Sequence, residues 1–528
     1  MEEKLKKELG ILDVFSICAG AMISSGLFIL PALAYAKTGP AVIFSYIIAG
    51  IFILPSVFAK AELATAMPKA GGVYFFIERS MGAPLGTIGG FASWFSLSLK
   101  SAFALVGIGI FATLINPSIS GFQVKLIAVA ACIFFMGVNI TGVKHTGRLQ
   151  IALVMILFGI LLFYVFRGAQ FIKPDRYVPF APFGLGQIFA TAGLVFVSFG
   201  GLTKVCCVAE EVKNPGRTIP LGMFLAFGFV MFLYAAVVFV TVGLLGRAEL
   251  LGTPAPISIA AGRVMGDAGI IVLSLAAILA FITTANAGIL TASRDSMAMS
   301  RDYLIPKFLH KVNRRFKTPH ISIVVTTLFM ICAILFLSLE NLVKTASTLM
   351  LLLFLLVNVS VILMRESKIQ SYRPKFLSPL YPWLQIAGIL GYGFLIFKMG
   401  RIPLSITAAF IAFALSWYLI YARKKVKRQA ALVHIVERIT AGELADPTLP
   451  DELRDILLER DQIVEDRFDH LIADCSILDL GRSLSMEDFF KEASGIIAKE
   501  LNVSSDGIFN SLAKREKESS TVIGPGLA

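Results

Sequence analysis

The feature that most constrains this chain is a recurrence. About twelve apolar runs follow one another, each near the roughly twenty residues that cross a bilayer as a helix. Their approximate limits are 11–34, 40–66, 84–112, 122–141, 148–167, 184–211, 218–245, 268–298, 319–338, 342–364, 380–398 and 402–422. Inside lipid every backbone polar group needs an internal partner, and a helix supplies it within one segment. The composition agrees: 56% of the 528 residues are hydrophobic and the mean hydropathy is +0.79. Only 16% are charged, against about 25% in a soluble domain. The expected class is an all-α polytopic membrane protein.

The formal charge of +13 then reads as orientation rather than nucleic-acid binding. Basic residues gather after the even-numbered runs: Lys69 and Arg79, Lys144 and Arg148, Lys213 and Arg217. Arg301, Lys307, Lys311, Arg314, Arg315 and Lys317 follow the eighth run, Arg365, Lys368, Arg373 and Lys375 the tenth, and "RKKVKRQ" the last. Loops after odd-numbered runs are poorer in positive charge, with Lys173 and Arg176 as exceptions. The positive-inside rule places both termini in the cytoplasm, in the cytoplasmic (inner) membrane. "MEEKLKKELG" mixes acids with bases and precedes no short apolar core with a cleavage site, so no cleavable signal peptide is expected. Cys18, Cys132, Cys206, Cys207, Cys332 and Cys475 are scattered without zinc-like spacing, and no metal or cofactor is expected. The Cys206-Cys207 pair reads as packing. Asn139-Ile-Thr141 fits a glycosylation pattern but lies at a run end expected in the cytoplasm.

The first run contains "GAMISSGLF", residues 20–28. Gly costs a helix interior about 1 kcal/mol relative to Ala, so the break is either harmless or used. The sixth run contains "FVSFGGLTK", with Gly200 and Gly201 near its middle. The next run starts at a Pro-marked segment in both cases, "TGPAVIFSYIIAG" and "NPGRTIPLGMFLAFG". Gly-interrupted runs at matching places in two halves point to an inverted-repeat secondary transporter. Unwound points free amides that suit a carboxylate and carbonyls that suit an ammonium or a cation. The alternative is that the glycines only let helices approach.

Four motifs in order carry a resemblance: "GAMISSGLFILP", "LPSVFAKAELATAMPKAGGVYFFIERSMG", "AEEVKNPGRTIP", and "TTANAGILTASRDSMAMSRD" followed by "RRFKTP". The chain resembles the amino acid permease branch of the amino acid–polyamine–organocation (APC) superfamily from about Ile11 to Ile420. The resemblance implies a LeuT-like five-plus-five inverted repeat with two further helices. It also implies carriage of amino acids or related amines, by exchange or coupled to protons or sodium. Carried over, the substrate carboxylate meets amides around Ser24, Ser25 and Gly26. The amine meets carbonyls near Ala21, Met22, Val197 and Ser198, Phe196 closes over the substrate, and Phe199 and Gly200 line the pocket.

The chain departs from this pattern in its charges. Many proton-coupled relatives have a lysine in helix five, where this chain has Leu157 or a close neighbour. Two other lysines lie inside runs, Lys100 in "WFSLSLKSAFALVG" and Lys204 after the sixth break. A charge at membrane centre costs roughly 3 kcal/mol on insertion scales and marks a functional hypothesis. A buried amine that can lose its proton can also carry one, so each is a candidate for proton coupling. Each is alternatively a structural cation, with Glu62, Glu210, Glu211 or Asp295 as candidate partners, and Lys204 can also snorkel. Thr283 and Thr284 in the eighth run stand about where sodium-driven relatives bind Na⁺ with helix-one carbonyls, although such hydroxyls are also ordinary helix-packing groups.

Composition changes at about Arg423. The expected organisation is a transmembrane permease domain, 1–422, a cytosolic helical linker, 423–454, and a cytosolic domain, 455–528. Pro450 at the start of "LPDELRDILLER", and Ser485 three residues before Asp488, read as helix starts. "IFNSLAKREKESSTVIGPGLA" resembles part of a phosphotransferase-system IIA domain of the fructose/nitrogen type, a small α/β fold. In that family the string continues to a phospho-accepting histidine. The residues here stop at Ala528, and His434 and His470 do not match that position, so a regulatory or assembly role is expected. The expected activity is secondary transport of an amino acid by alternating access, with H⁺ or Na⁺ as coupling ion and no covalent chemistry. An uncoupled exchanger, a membrane nutrient sensor with a regulatory tail, and a cation/chloride cotransporter are the rivals.

Overall fold

The computed structural model describes residues 9–68, 72–142, 147–207, 209–313, 315–316, 318–369, 371–425, 430–433, 456, 486–501 and 504–518. It divides into two compact units, Met1–Arg460 and Asp461–Ala528. Each of the twelve apolar runs contains a helix, and the first run contains three: α1 (Ile11–Met22), α2 (Ser25–Phe28) and α3 (Leu30–Thr38). Then come α4 (Val42–Ala66), the short α5 (Gly72–Met81), α6 (Ala83–Ile115), α7 (Gly121–Thr141) and α8 (Gly147–Ala169). The sixth run is α9 (Gly184–Val195), a 3₁₀ stretch (Phe196–Thr203) and α10 (Lys204–Cys207). It is followed by α11 (Pro215–Leu244), α12 (Arg247–Gly252) and α13 (Pro256–Arg301). The last four are α14 (His320–Phe336), α15 (Leu339–Glu366), α16 (Trp383–Lys398) and α17 (Arg401–Trp417).

By length and composition nine helical segments among the described residues can cross a membrane. Ile11–Met22, His320–Phe336 and Trp383–Lys398 are shorter apolar helices. The expected start of the eighth run near 268 reflects a kink. α13 begins at Pro256, but Gly266 (φ +63°) interrupts it, and glycine adopts that conformation without a Cβ penalty.

α6 forms the axis of the bundle, packed along α13 and α15, while α11 packs on α1 and α4. Buried polar groups tie these helices across lipid depth. Asn139 donates to Asn286 Oδ1 at 2.7 Å, joining α7 to α13, so this asparagine serves helix packing. Tyr74 on α5 donates to Asp302 Oδ2 at 2.7 Å, and Arg79 lies 3.9 Å from Asp302 Oδ1. Both contacts fix the α5 segment to the end of α13.

The strongest clamp is at Glu62, which is fully buried. Arg365 grips it through Nε at 2.7 Å and Nη2 at 2.6 Å. Tyr372 donates to it at 3.0 Å and the Ser378 amide at 2.8 Å. Four donors thus surround this carboxylate, while Lys100 donates to the Ala21 carbonyl. Glu62→Gln removes the charge-assisted fork. Arg365 keeps some solvent, so the expected cost is about 2 kcal/mol, checked as a lower melting temperature of the purified protein.

In the second unit two helices are described, α18 (Met486–Leu501) and α19 (Ser505–Glu518). No strand occurs among the described residues. The remainder of the α/β domain expected over 455–528 lies outside them, as do His434, His470 and Cys475.

Candidate substrate and ion site

The two interrupted runs meet. α1 ends at Met22 because Ile23 (φ −74°, ψ 106°) and Ser24 (φ −161°, ψ −150°) are extended. The helix restarts at Ser25. Opposite it, the sixth run tightens into the 3₁₀ stretch at Phe196. Tight helix of this kind is rarely longer than three or four residues and often marks a functional hinge; here it runs for eight. Glycine allows the approach. A Cβ on Gly26 would lie 2.8 Å from Ser198 Cβ and 2.9 Å from its Cα. A Cβ on Gly201 would meet the backbone of Ala21 and Met22, with the Ala21 carbonyl oxygen at 2.8 Å.

Four carbonyls at the breaks, those of Ala21, Met22, Gly26 and Ser198, are met by protein donors. Lys100, reaching in from α6, donates from Nζ to the Ala21 carbonyl at 3.0 Å. Tyr234 on α11 donates to the Met22 carbonyl at 2.7 Å and is 3.2 Å from that of Ser198. Tyr46 on α4 donates to the Gly26 carbonyl at 2.7 Å, and Ser198 Oγ to the same oxygen at 3.2 Å. The Val197 amide donates to Ser347 Oγ at 3.2 Å. The amides of Ser24, Ser25 and Gly26 have no acceptor among the described residues. The site therefore offers free donors at the start of α2, and its acceptors already hold hydroxyls and one ammonium.

All ten residues assigned to the substrate are buried. Phe196 stands edge-on to Phe354 (5.4 Å between centroids) and Tyr392 (5.8 Å). Phe199 packs on Tyr234 at 5.3 Å. Gly200 sits against the Met350 side chain, and a Cβ there would be 3.6 Å from Lys100 Nζ.

Beside the break a cavity of about 210 Å³ opens between α1, α8 and α13. Ala21, Leu157, Lys204, Thr283 and Arg294 are among its lining residues. Leu157 thus faces the first break, at the place where the resemblance implied a lysine. Thr283 donates to the Ala280 carbonyl at 3.0 Å. Thr284 does not line this cavity, and its hydroxyl is buried without a partner. Thr283 thus lines the cavity beside the first break, and Thr284 lies next to it in the packed interior. Asp295 accepts from Ser93 Oγ at 2.5 Å, and the Glu210 side chain lies outside the described residues.

The amino acid permease family profile matches residues 9–423. The chain belongs to the amino acid permease family. Two relatives from Bacillus subtilis (strain 168) match nearly end to end. One is a branched-chain amino acid permease, 29% identical over 450 residues, covering 81% of this chain and 95% of the relative. The other is a methylthioribose transporter, 28% identical over 441 residues, covering 80% and 95%. Cationic amino acid transporter 1 of Arabidopsis thaliana is 28% identical over 380 residues, covering 69% of this chain and 63% of the relative. This permease is accordingly a multi-pass membrane protein of a family of transporters.

Three groups at the breaks carry no periodic signal in the sequence: Tyr46, Tyr234 and Ser347. The available hint was that a tyrosine in mid-span needs an acceptor for its hydroxyl. Tyr234 bridges both breaks, so Tyr234→Phe leaves the Met22 carbonyl unpaired. The expected cost is about 1–3 kcal/mol, read as a lower melting temperature of the purified protein.

Proposed function

We propose that this permease carries an amino acid across the cytoplasmic membrane by alternating access, in a LeuT-like five-plus-five repeat of twelve crossings with both termini inside. The observation that supports this most is the meeting of the two breaks, where Gly201 abuts Ala21 and Met22 and Gly26 abuts Ser198. Free amides at Ser24, Ser25 and Gly26 suit a carboxylate. The Ala21 and Met22 carbonyls suit an amine once Lys100 and Tyr234 yield them. Phe196 closes over the bound molecule, while Val197, Ser198, Phe199 and Gly200 shape its room.

Proton coupling is favoured over sodium. Lys100 already places a donor on the Ala21 carbonyl, an oxygen that a sodium ion at Thr283 would need, and like charges a few ångströms apart repel. Lys204, on the cavity wall, is the second candidate for carrying a proton. The 455–528 segment, which resembles part of a phosphotransferase-system IIA domain, regulates or assembles the transporter. The test is counterflow in proteoliposomes loaded with each amino acid in turn. Labelled substrate entering vesicles loaded with the same amino acid, and not empty ones, supports a transporter. Binding of an amino acid without counterflow favours the nutrient sensor, and ion movement without amino acid favours the cation/chloride cotransporter.

A further inference from the structure

One buried cation serves neither the proposed substrate contacts nor the clamp at Glu62. Lys60 on α4 is 1% exposed, and its Nζ has no hydrogen-bond partner among the described residues. It rests over the face of Phe354 on α15, 3.0 Å from the ring centroid. Phe354 belongs to a cluster of three fully buried rings, and every pair in it meets edge-on. Phe196 and Phe354 are 5.4 Å apart with planes at 67°. Phe196 and Tyr392 are 5.8 Å apart at 69°, and Phe354 and Tyr392 are 6.3 Å apart at 72°. Ser56, one turn before Lys60 and so on the same face of α4, shares a hydrogen bond with the Tyr392 hydroxyl at 2.7 Å. One helix therefore grips both rings that wall Phe196, Phe354 through a cation and Tyr392 through its hydroxyl. Two turns before Phe354, Ser347 holds the 3₁₀ stretch itself, accepting from the Val197 amide at 3.2 Å and donating to the Leu194 carbonyl at 2.7 Å.

We propose that Lys60 is a positioning residue for substrate binding, acting through Phe354 to hold Phe196 in the orientation that closes over the bound molecule. Stability does not explain a cation here. A buried ammonium without a hydrogen bond is expensive, and an apolar side chain of similar volume is often neutral or stabilising in place of a buried charge. Ring geometry does explain it. The face of an aromatic ring is negative and its edge positive, and a cation is drawn to the face. Lys60 therefore fixes the plane of Phe354, because turning the ring would bring its positive edge to the ammonium. Phe196 stands edge-on to that ring and to Tyr392, which Ser56 anchors. With both walls held from α4, Phe196 keeps one orientation beside the two breaks, and substrate meets a ring already in place. Pre-organisation of this kind raises affinity by sparing the cost of ordering the ring on binding.

The proposal rests on the reading of Phe196 as the ring that closes over substrate, and its test is a double-mutant cycle on the full chain. Wild type, Lys60→Met, Phe354→Leu and the double variant are purified. Each standard amino acid is titrated in turn, and the rise in melting temperature reports its affinity. Without ligand, Lys60→Met should melt no lower than wild type. It should weaken the amino acid that wild type binds most tightly by about tenfold. In the Phe354→Leu background the same substitution should weaken it no further, because the effect passes through the ring. Unchanged affinity in Lys60→Met, or a further loss in the double variant, would overturn the proposal. So would an unliganded Lys60→Met protein that melts well below wild type, since that marks a structural cation. If Phe354→Leu does not fold, the affinity and melting of Lys60→Met decide alone. Counterflow with the wild type separates this claim from the transporter reading. Binding without counterflow sinks that reading and leaves the cycle readable, whereas a wild type that binds no amino acid sinks both.

Discussion

Lys100→Met will lose uptake driven by a pH gradient and keep exchange of substrate. Lys100 is 5% exposed, and it donates a hydrogen bond to the Ala21 carbonyl at the end of α1. That oxygen is the one a substrate amine would take, so the lysine must shift or give up its proton for the amine to bind. Its protonation is thereby linked to occupancy of the site, which is what coupling requires. Methionine keeps the length and apolar stem but cannot carry a proton, and it leaves the Ala21 carbonyl open to substrate. Accumulation under an imposed pH gradient should fall by about tenfold or more, corresponding to a lost coupling of about 1.4 kcal/mol. Counterflow in the absence of a gradient should persist. Gradient-driven accumulation at the wild-type level in this variant would remove Lys100 from the mechanism and pass the role to Lys204.

Gly201→Ala will be the most damaging single methyl in the bundle. The added Cβ meets the backbone of Ala21 and Met22, not the end of a flexible side chain. Neither side can give way without parting the two breaks. Overpacking of this kind costs about 3 kcal/mol or more when nothing can move, and loss of transport should accompany the loss of stability. Gly228→Ala is the control, because nothing lies within 4 Å of a Cβ there and the site is helical. That variant should be neutral or slightly stabilising. Melting temperatures of the two purified proteins make the comparison, and equal melting would contradict the close approach.

The fold was legible because bilayer thickness imposes its length on every apolar run. All twelve runs contain helices for that reason. The double break was legible because glycine pairs in mid-span have few uses. The network holding the breaks was not legible. Tyr46, Tyr234 and Ser347 are isolated hydroxyls, and their acceptors lie on other helices. Lys60 sits inside "LPSVFAKAELATA", a stretch that reads as a family signature, and this masked a charge at membrane depth. Glu62 was a candidate partner for the buried lysines by sign alone. It is instead paired with Arg365, 303 residues away, a choice that only the packing of α4 against α15 makes. The threonines at 283 and 284 read as an adjacent hydroxyl pair, but successive residues on a helix point about 100° apart, so one faces the cavity and the other does not.

The most direct test of the account is accumulation of the amino acid identified by counterflow, in tight proteoliposomes, under a pH gradient and separately under a Na⁺ gradient. The account predicts uptake above equilibrium with the pH gradient and none beyond exchange with Na⁺. Accumulation driven by Na⁺ alone, with the pH gradient without effect, would contradict it.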